Sequence, residues 1–303
     1  MIYVVTVHWR SPQWIGPQLD YLHRHIDAPF EVVAALRGIE DRSLWEGFSY
    51  VEDLNGSHGS KLNALAQVVT ERADPEDVLM FIDSDAFPIR PLDEWLADSL
   101  RDHRLIAIQR RENFGDLRPH PSFCATTVGF WSEISGDWAR GAWTTPTGVV
   151  LEDAGTKLLH SLDERGVDWL PLVRTNTHDV HPLWFGVYGH HVYHHGAGSR
   201  TKWSALDDQR VFTRSSLADP SLGSLASQAR KDPRVVLRAR PRDLTVLPAA
   251  SARTVRQIRK RMLLRATERQ SDRVFAALSS DPLFFQEFEP GASAGSSAVA
   301  EGT

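Results

Sequence analysis

The chain is nearly free of cysteine, with Cys124 alone among 303 residues. That excludes an intramolecular disulfide and a cysteine-built zinc cluster, and it suits a reducing, cytoplasmic setting. It has no run of about 18 apolar residues, so no membrane span is expected. The opening MIYVVTVHWRSP has no basic stretch ahead of its short apolar run, so it does not read as a secretory leader. Charge of one sign is not in excess: 34 basic against 39 acidic residues leave a net charge of -5. Neither that balance nor any motif calls for a nucleic-acid partner. There is no internal repeat and no H-E-x-x-H pair. The turn after the first apolar run, HWRSPQW, is not the Gly-rich basic loop that a nucleotidyltransferase would want.

What is present fits a globular protein with a sizeable core, since 42% of residues are hydrophobic and 24% charged. The length allows one large α/β domain or two small ones. Residues 2–9 (IYVVTVHW), 30–36, 48–51, 78–82 (VLMFI) and 105–109 (LIAIQ) read as buried strands. Helical spacing lies between them, at Leu19 to Ile26, from a Ser60 cap through Val69, and around Trp95 to Leu100. Strands alternating with helices predict βαβ units, a largely parallel sheet, and ligands at the strands' carboxyl ends. Beyond Arg110 the reading is a polar segment (RRENFGDLRPHPSF), then strands at 126–131, 168–173 and 186–194, with a helix through Leu158 and Leu162.

The central feature is Asp83-Ser84-Asp85, immediately after VLMFI. Two carboxylates two residues apart, just past a buried strand, point into the cleft at the sheet's edge. Carboxylates and phosphate oxygens are hard ligands suited to Mg2+ or Mn2+. Such a cation offsets diphosphate charge as a nucleoside diphosphate departs.

VLMFIDSDAFPI resembles the DxD segment of GT-A fold glycosyltransferases, and the resemblance runs across most of residues 1–200. NGSHGSKLNALA, from Asn55, resembles the N-x-G-x-x-x-A-x-N region that contacts nucleotide in family 2-type enzymes. Lys61 and Asn63 fall near matching positions, and the first alanine is missing. VVLEDAGTKLLHSLDERG resembles the family's acidic-pair segment, and VYHHGAGSR its late histidine motif. The resemblance implies an α/β GT-A (Rossmann-like) fold, a mostly parallel sheet flanked by helices, with a helical C-terminal extension. It implies a catalytic domain over 1–203, with a nucleotide-binding half (1–110) and an acceptor-binding half (111–203). The activity implied is hexosyl transfer from a UDP-, GDP- or dTDP-sugar to a hydroxyl-bearing small molecule, glycan or lipid-linked acceptor, with Mn2+ or Mg2+.

An inverting transferase needs a general base. The resemblance implies Asp153, with Glu152 as the alternative, at the start of a helix whose N-terminus would keep a carboxylate ionised. Acids also favour a helix's first turn for stability alone. Six histidines (178, 181, 190, 191, 194 and 195) crowd a short stretch. Of these His195 first, and His194 second, is expected to join Asp83 and Asp85 as metal ligand. Arg200 and Lys202 follow at glycines suited to phosphate.

Thr6, His8 and Arg10 end the first strand, Arg37 the second and Asp53 the third, and with Ser84 they are candidates for nucleotide contact. His120, Phe123, Trp131, Trp143 and Trp184 are candidate acceptor aromatics, although such residues are more often core. Arg253 to Arg273 trace a basic amphipathic helix within a basic 204–288 region, which suits a solvated face or peripheral contact with a membrane's inner surface. The small polar tail, 289–303, reads as disordered. Two other functions compete: a metal-dependent hydrolase using the Asp and His residues, and a non-catalytic carbohydrate-binding module. The module requires Asp83 and Asp85 to be exposed and splayed.

Overall fold

The computed structural model describes residues 1–113, 115–146, 148–176, 184–196 and 269–281. The chain divides into two compact units, Met1–Thr175 with Gly186–Ser199, and Asn176–Phe185 with Arg200–Thr303. In the second unit residues 269–280 are helical. No described helix is long and apolar enough to cross a membrane.

The first unit begins with β1 (Ile2–Trp9), α1 (Ile15–His25), β2 (Phe30–Arg37), β3 (Tyr50–Glu52) and α2 (His58–Thr70). Then come β4 (Val78–Asp83), β5 (Ala86–Pro88), α3 (Asp93–Asp102), β6 (Leu105–Gln109), β7 (Pro119–Thr127) and α4 (Val128–Glu133). It closes with β8 (Gly141–Thr144), β9 (Val150–Asp153), α5 (Thr156–Glu164), β10 (Leu170–Leu172), β11 (Gly186–Tyr188) and β12 (Val192–His194).

Seven strands form one sheet in the order β10-β6-β7-β4-β1-β2-β3. Every neighbour pair is parallel except those of β7, which runs antiparallel to both β4 and β6. The expected mostly parallel sheet flanked by helices is therefore present. Alternation along the strands explains its two covered faces. Ile2 and Val4 of β1 join Met80 and Ile82 of β4 in one core with Ile15 and Leu22 of α1. Tyr3, Val5 and Val7 join Leu79 and Phe81 in the other, with Leu62, Leu65 and Val69 of α2.

Three sequence expectations are corrected. Residues 126–131 are not one strand: β7 starts earlier, within the polar segment, and ends at Thr127, and residues 128–131 open α4. The Thr127 hydroxyl accepts from Phe130 N at 3.1 Å and caps α4, turning a β-branched run into a helix start. Pro121 sits where β7 loses register with β6: Ala107 faces Cys124, while Ile108 faces His120. A residue without an N–H is tolerated at such a bulge. The α2 cap is Ser57, whose hydroxyl accepts from Ser60 N at 3.2 Å, so the helix begins at His58. Finally, 186–194 is a hairpin rather than one strand. Gly189 (φ 54°) and His190 (φ 61°) turn the chain between β11 and β12, with His191 N donating to Tyr188 O at 3.1 Å.

His8 continues the Ile2–Val4 face of β1 and is fully buried. Burial pushes its pKa down to about 4, against weaker support from its hydrogen bonds and Asp85. The unfolded chain therefore takes up this proton near pH 6.5, the folded chain only near 4. In that window the unfolded state binds more protons, so stability rises with pH. Denaturant midpoints should fall between about pH 6.5 and about pH 4, and His8→Gln should flatten the fall. An unchanged slope in that variant would contradict the assignment.

Candidate functional site

The sheet's architecture builds one cluster at the carboxyl end of β4. Asp83 is the last residue of β4, and the chain turns through Ser84 and Asp85 into β5. Strand β12 lies antiparallel on β5, pairing His194 with Ala86 and Tyr193 with Phe87. His195 N donates to Asp85 O at 2.9 Å, extending the pairing into the turn. His194 is thereby set against both acids. Its Nε2 is 3.7 Å from Asp83 Oδ2 and 3.5 Å from Asp85 Oδ1. Asp85 and His194 are buried, and the Asp83 side chain is 18% exposed.

A fourth group comes from the first residue of α2. His58 Nε2 is 2.9 Å from Asp83 Oδ1. That approach sets an imidazole nitrogen directly against the buried Asp83 Oδ1. Desolvation works against a charge on His58, but the Asp83 carboxylate, with Asp153 adding, carries its pKa upward. His120, brought alongside by the bulged start of β7, has its ring 6.1 Å from that of His194. Burial first, then Arg110 and His194, hold His120 well below its usual range, so it is neutral.

Asp83, Asp85 and His194 can hold a divalent cation. Their ligand atoms lie within 4.8 Å of one another. Donors about 2.1 Å from an octahedral ion sit roughly 3 Å apart when adjacent and roughly 4.2 Å apart when opposite. The separations of 3.5 and 3.7 Å fall in that range. Two carboxylates with one imidazole suit Mn2+ or Mg2+.

The turn is held from behind by a residue the sequence reading passed over. Gln18 of α1, fully buried, donates from its amide to Asp83 O at 2.7 Å and to Ala86 O at 2.9 Å. Its carbonyl oxygen accepts from Thr6 Oγ1 at 3.1 Å and lies 2.9 Å from His8 Nε2. With both amide hydrogens spent on carbonyls, His8 must carry its proton on Nε2. Thr6 and His8, expected to contact nucleotide, are thus buried against α1. The signal was available: they extend the Ile2–Val4 face, and two polar residues on an apolar face require a polar partner.

The other predicted residues distribute as follows. Arg37 and Asp53 form an exposed pair at 3.0 Å. Lys61 is buried near them, its pKa lowered by desolvation and then by Arg37, with Asp53 opposing. Arg10, at φ 52°, lays its guanidinium 5.3 Å from the ring of exposed Trp9. Ser84 is buried in the turn. Asn63 is structural: its Oδ1 accepts from Trp138 N at 2.9 Å and its Nδ2 donates to Asp137 at 2.5 Å. His195, weighed first as third ligand, yields that place to His194. Its ring packs 4.6 Å from Trp14, and its Nδ1 lies 2.9 Å from Tyr193 OH. Strand alternation puts adjacent histidines on opposite faces, and the carboxylates lie on that of His194.

Glu152 and Asp153 are exposed in β9, not in a helix's first turn. Helix α5 starts at Thr156 after Gly155 (φ 93°), with no acid in its first turn. Phe123 and Trp131 are core residues. Trp143 is half-buried, with Arg118 5.7 Å from its ring. Trp184 belongs to the second unit, where it meets Phe185 edge-on. Arg200, Lys202, the disordered-tail expectation and the basic stripe except Arg269 and Arg273 lie outside the described residues.

A buried ion pair also went unforeseen. Asp116 Oδ1 accepts from Arg118 Nε at 2.9 Å and Oδ2 from Nη2 at 2.7 Å. Arg118 Nη1 then donates to Thr156 Oγ1 at 2.9 Å and Asp153 O at 3.4 Å, fixing the backbone that presents Asp153. No periodic pattern marks such a pair, because both partners sit in an irregular loop.

No protein family profile and no curated protein matches this chain. Three glycosyltransferases are among the solved structures to which the chain is similar. TarS residues 1–349 of S. aureus, in complex with UDP-GlcNAc, matches 45% of this chain at 17% identity and a TM-score of 0.35. The chain spans 48% of that structure's length. The bifunctional glycosyltransferase WbbM in its apo form matches 44% of this chain and 32% of its own, at 15% identity and a TM-score of 0.33. A mannosyltransferase from Pyrobaculum calidifontis, in complex with GDP-Man and Mn2+, covers 93% of this chain and 87% of its own, at 13% identity and a TM-score of 0.39.

Removing one partner of a buried pair leaves the other charge uncompensated, a loss of about 3–5 kcal/mol. Arg118→Met should lower stability by that order, read from the urea midpoint, and Asp116→Asn with Arg118→Met should recover part of it. A single variant as stable as the parent would refute the pairing.

Proposed function

We propose that the chain is a metal-dependent glycosyltransferase that moves a sugar from a nucleoside-diphosphate sugar to a hydroxyl-bearing acceptor. The observation that carries this is the meeting of Asp83, Asp85 and His194 at the carboxyl edge of a mostly parallel sheet. Ligands of such sheets bind at that edge. The sequence resemblance of VLMFIDSDAFPI and VYHHGAGSR to GT-A enzymes falls on the same three residues. A bound Mn2+ or Mg2+ would supply charge neutralisation for the departing diphosphate. The binding-module reading needs splayed, exposed acids, whereas these converge and Asp85 is buried.

The chain's own groups take the remaining roles in this reading. Asp83 and Asp85 supply the anionic ligands and His194 the neutral one. Arg10, Arg37, Asp53 and Lys61 ring the ends of β1, β2 and α2, where charge and carboxylate acceptors suit a nucleotide. Asp153 is the base that takes the acceptor hydroxyl's proton in an inverting transfer. Its exposure permits contact with an acceptor, and its charge is felt at both His58 and Arg110.

A thermal-shift titration tests the donor assignment. A ligand at 100 times its Kd stabilises by about 2.7 kcal/mol, several degrees in a chain of this size. UDP, GDP or dTDP should raise the melting temperature only with Mn2+ present, and Asp85→Asn should remove the rise. Stabilisation by metal with no nucleotide response would favour a hydrolase instead. For the base, Asp153→Asn should keep the metal-dependent shift and lose at least 100-fold in turnover, the low end of general-base contributions. Loss of the shift would sink that role.

A further inference from the structure

We infer that Gln18 is a positioning residue for the cation: it sets metal affinity by fixing the backbone turn that aims Asp83 and Asp85 at one point. The inference rests on the proposed metal site and deepens it.

Two like charges held at a shared focus repel each other, so the turn carrying them must resist splaying. Backbone contacts from two sides provide that resistance. His195 N holds Asp85 O from the β12 side. On the α1 side a single amide, that of Gln18, spans the turn from its first residue to its last, binding Asp83 O and Ala86 O. The amide is itself immobile. Thr6 and His8 of β1, both fully buried, hold its carbonyl oxygen. Strand β1 pairs in parallel with β4, setting Thr6 beside Ile82 and Val7 beside Asp83. The clamp is therefore anchored to the strand that neighbours the acids' own.

Glutamine suits this position chemically. Only a side-chain amide offers two donors to a pair of carbonyls and an acceptor to two donors at once. An apolar residue of the same length would strand up to four polar groups, two carbonyls and two donors, in a dry interior. Each stranded group costs about 1–3 kcal/mol unless the turn moves to find another partner. Movement of the turn is the route by which Gln18 acts on the cation without touching it.

The test is Mn2+ affinity of the full chain without nucleotide, from the electron paramagnetic resonance signal of free Mn2+. Gln18→Met keeps the side chain's length and removes its hydrogen bonds. Leu22→Ala, one turn further along α1 and also fully buried, serves as a control that loses stability without touching the turn. The inference predicts a Kd at least 10-fold weaker in Gln18→Met and within about twofold of the parent in Leu22→Ala. Thr6→Val, which removes one anchor of the clamp, should weaken binding by a smaller factor and keeps the test open if Gln18→Met does not fold. Parent-like affinity in both clamp variants overturns the inference and leaves the metal site standing. Equal weakening in Gln18→Met and Leu22→Ala also overturns it, because the effect is then general destabilisation. A parent chain that binds no Mn2+, or an Asp85→Asn variant that binds it equally well, overturns the metal site itself.

Discussion

Two carboxylates aimed at one point repel unless a positive charge lies between them, and the first unit is organised around that constraint. Asp83 and Asp85 lie at the carboxyl end of β4, a strand with a buried centre, and three elements converge to manage them. The β11–β12 hairpin brings His194 within 3.7 Å of both. The start of α2 brings His58 within 2.9 Å of Asp83. From the opposite side α1 supplies Gln18, which ties down the backbone. Two imidazoles and an amide dipole restrain the acids from three sides.

The sheet supports this site through ordinary packing. Its strands bury side chains on both faces, so β1 and β4 are stiff up to their last residues. Polar groups appear on those faces only at the carboxyl ends, where Thr6, His8 and Asp83 replace the apolar rows. The insertion of antiparallel β7 between β4 and β6 has a local consequence as well. Its bulge at Pro121 carries His120 toward His194, while burial keeps that ring uncharged beside the acids. The buried Asp116–Arg118 pair makes the second rigid connection, to the backbone of Asp153 and to Thr156.

Most of this fold was legible in the sequence, because it is written in short-range patterns. Strands β1, β2, β4 and β6 stand as β-branched or apolar runs bounded by turn residues. The DxD position followed from the end of β4 alone. What escaped was set by tertiary partners. Residues 186–194 read as one strand, because only the backbone shows that Gly189 and His190 turn the chain with positive φ. The choice between His194 and His195 depended on which face of β12 turns to the acids, fixed by pairing with β5 more than a hundred residues upstream. Nothing in the helical spacing around Leu19 marks Gln18, and its role emerges only with Thr6 and His8 packed on it. Phe123 and Trp131 were offered to an acceptor but fill the two cores. Asp153 was placed at a helix start by resemblance, whereas Gly155 intervenes and leaves it in β9.

The central claim is that Asp83, Asp85 and His194 share one cation. The most direct measurement is an anomalous-difference map from a crystal soaked with MnCl2 and a nucleoside diphosphate. The account predicts a single strong peak within coordinating distance of Asp85, Asp83 and His194 Nε2, with phosphate oxygens completing its shell. A map with no peak there at saturating Mn2+, or with the metal bound elsewhere on the chain, would contradict it.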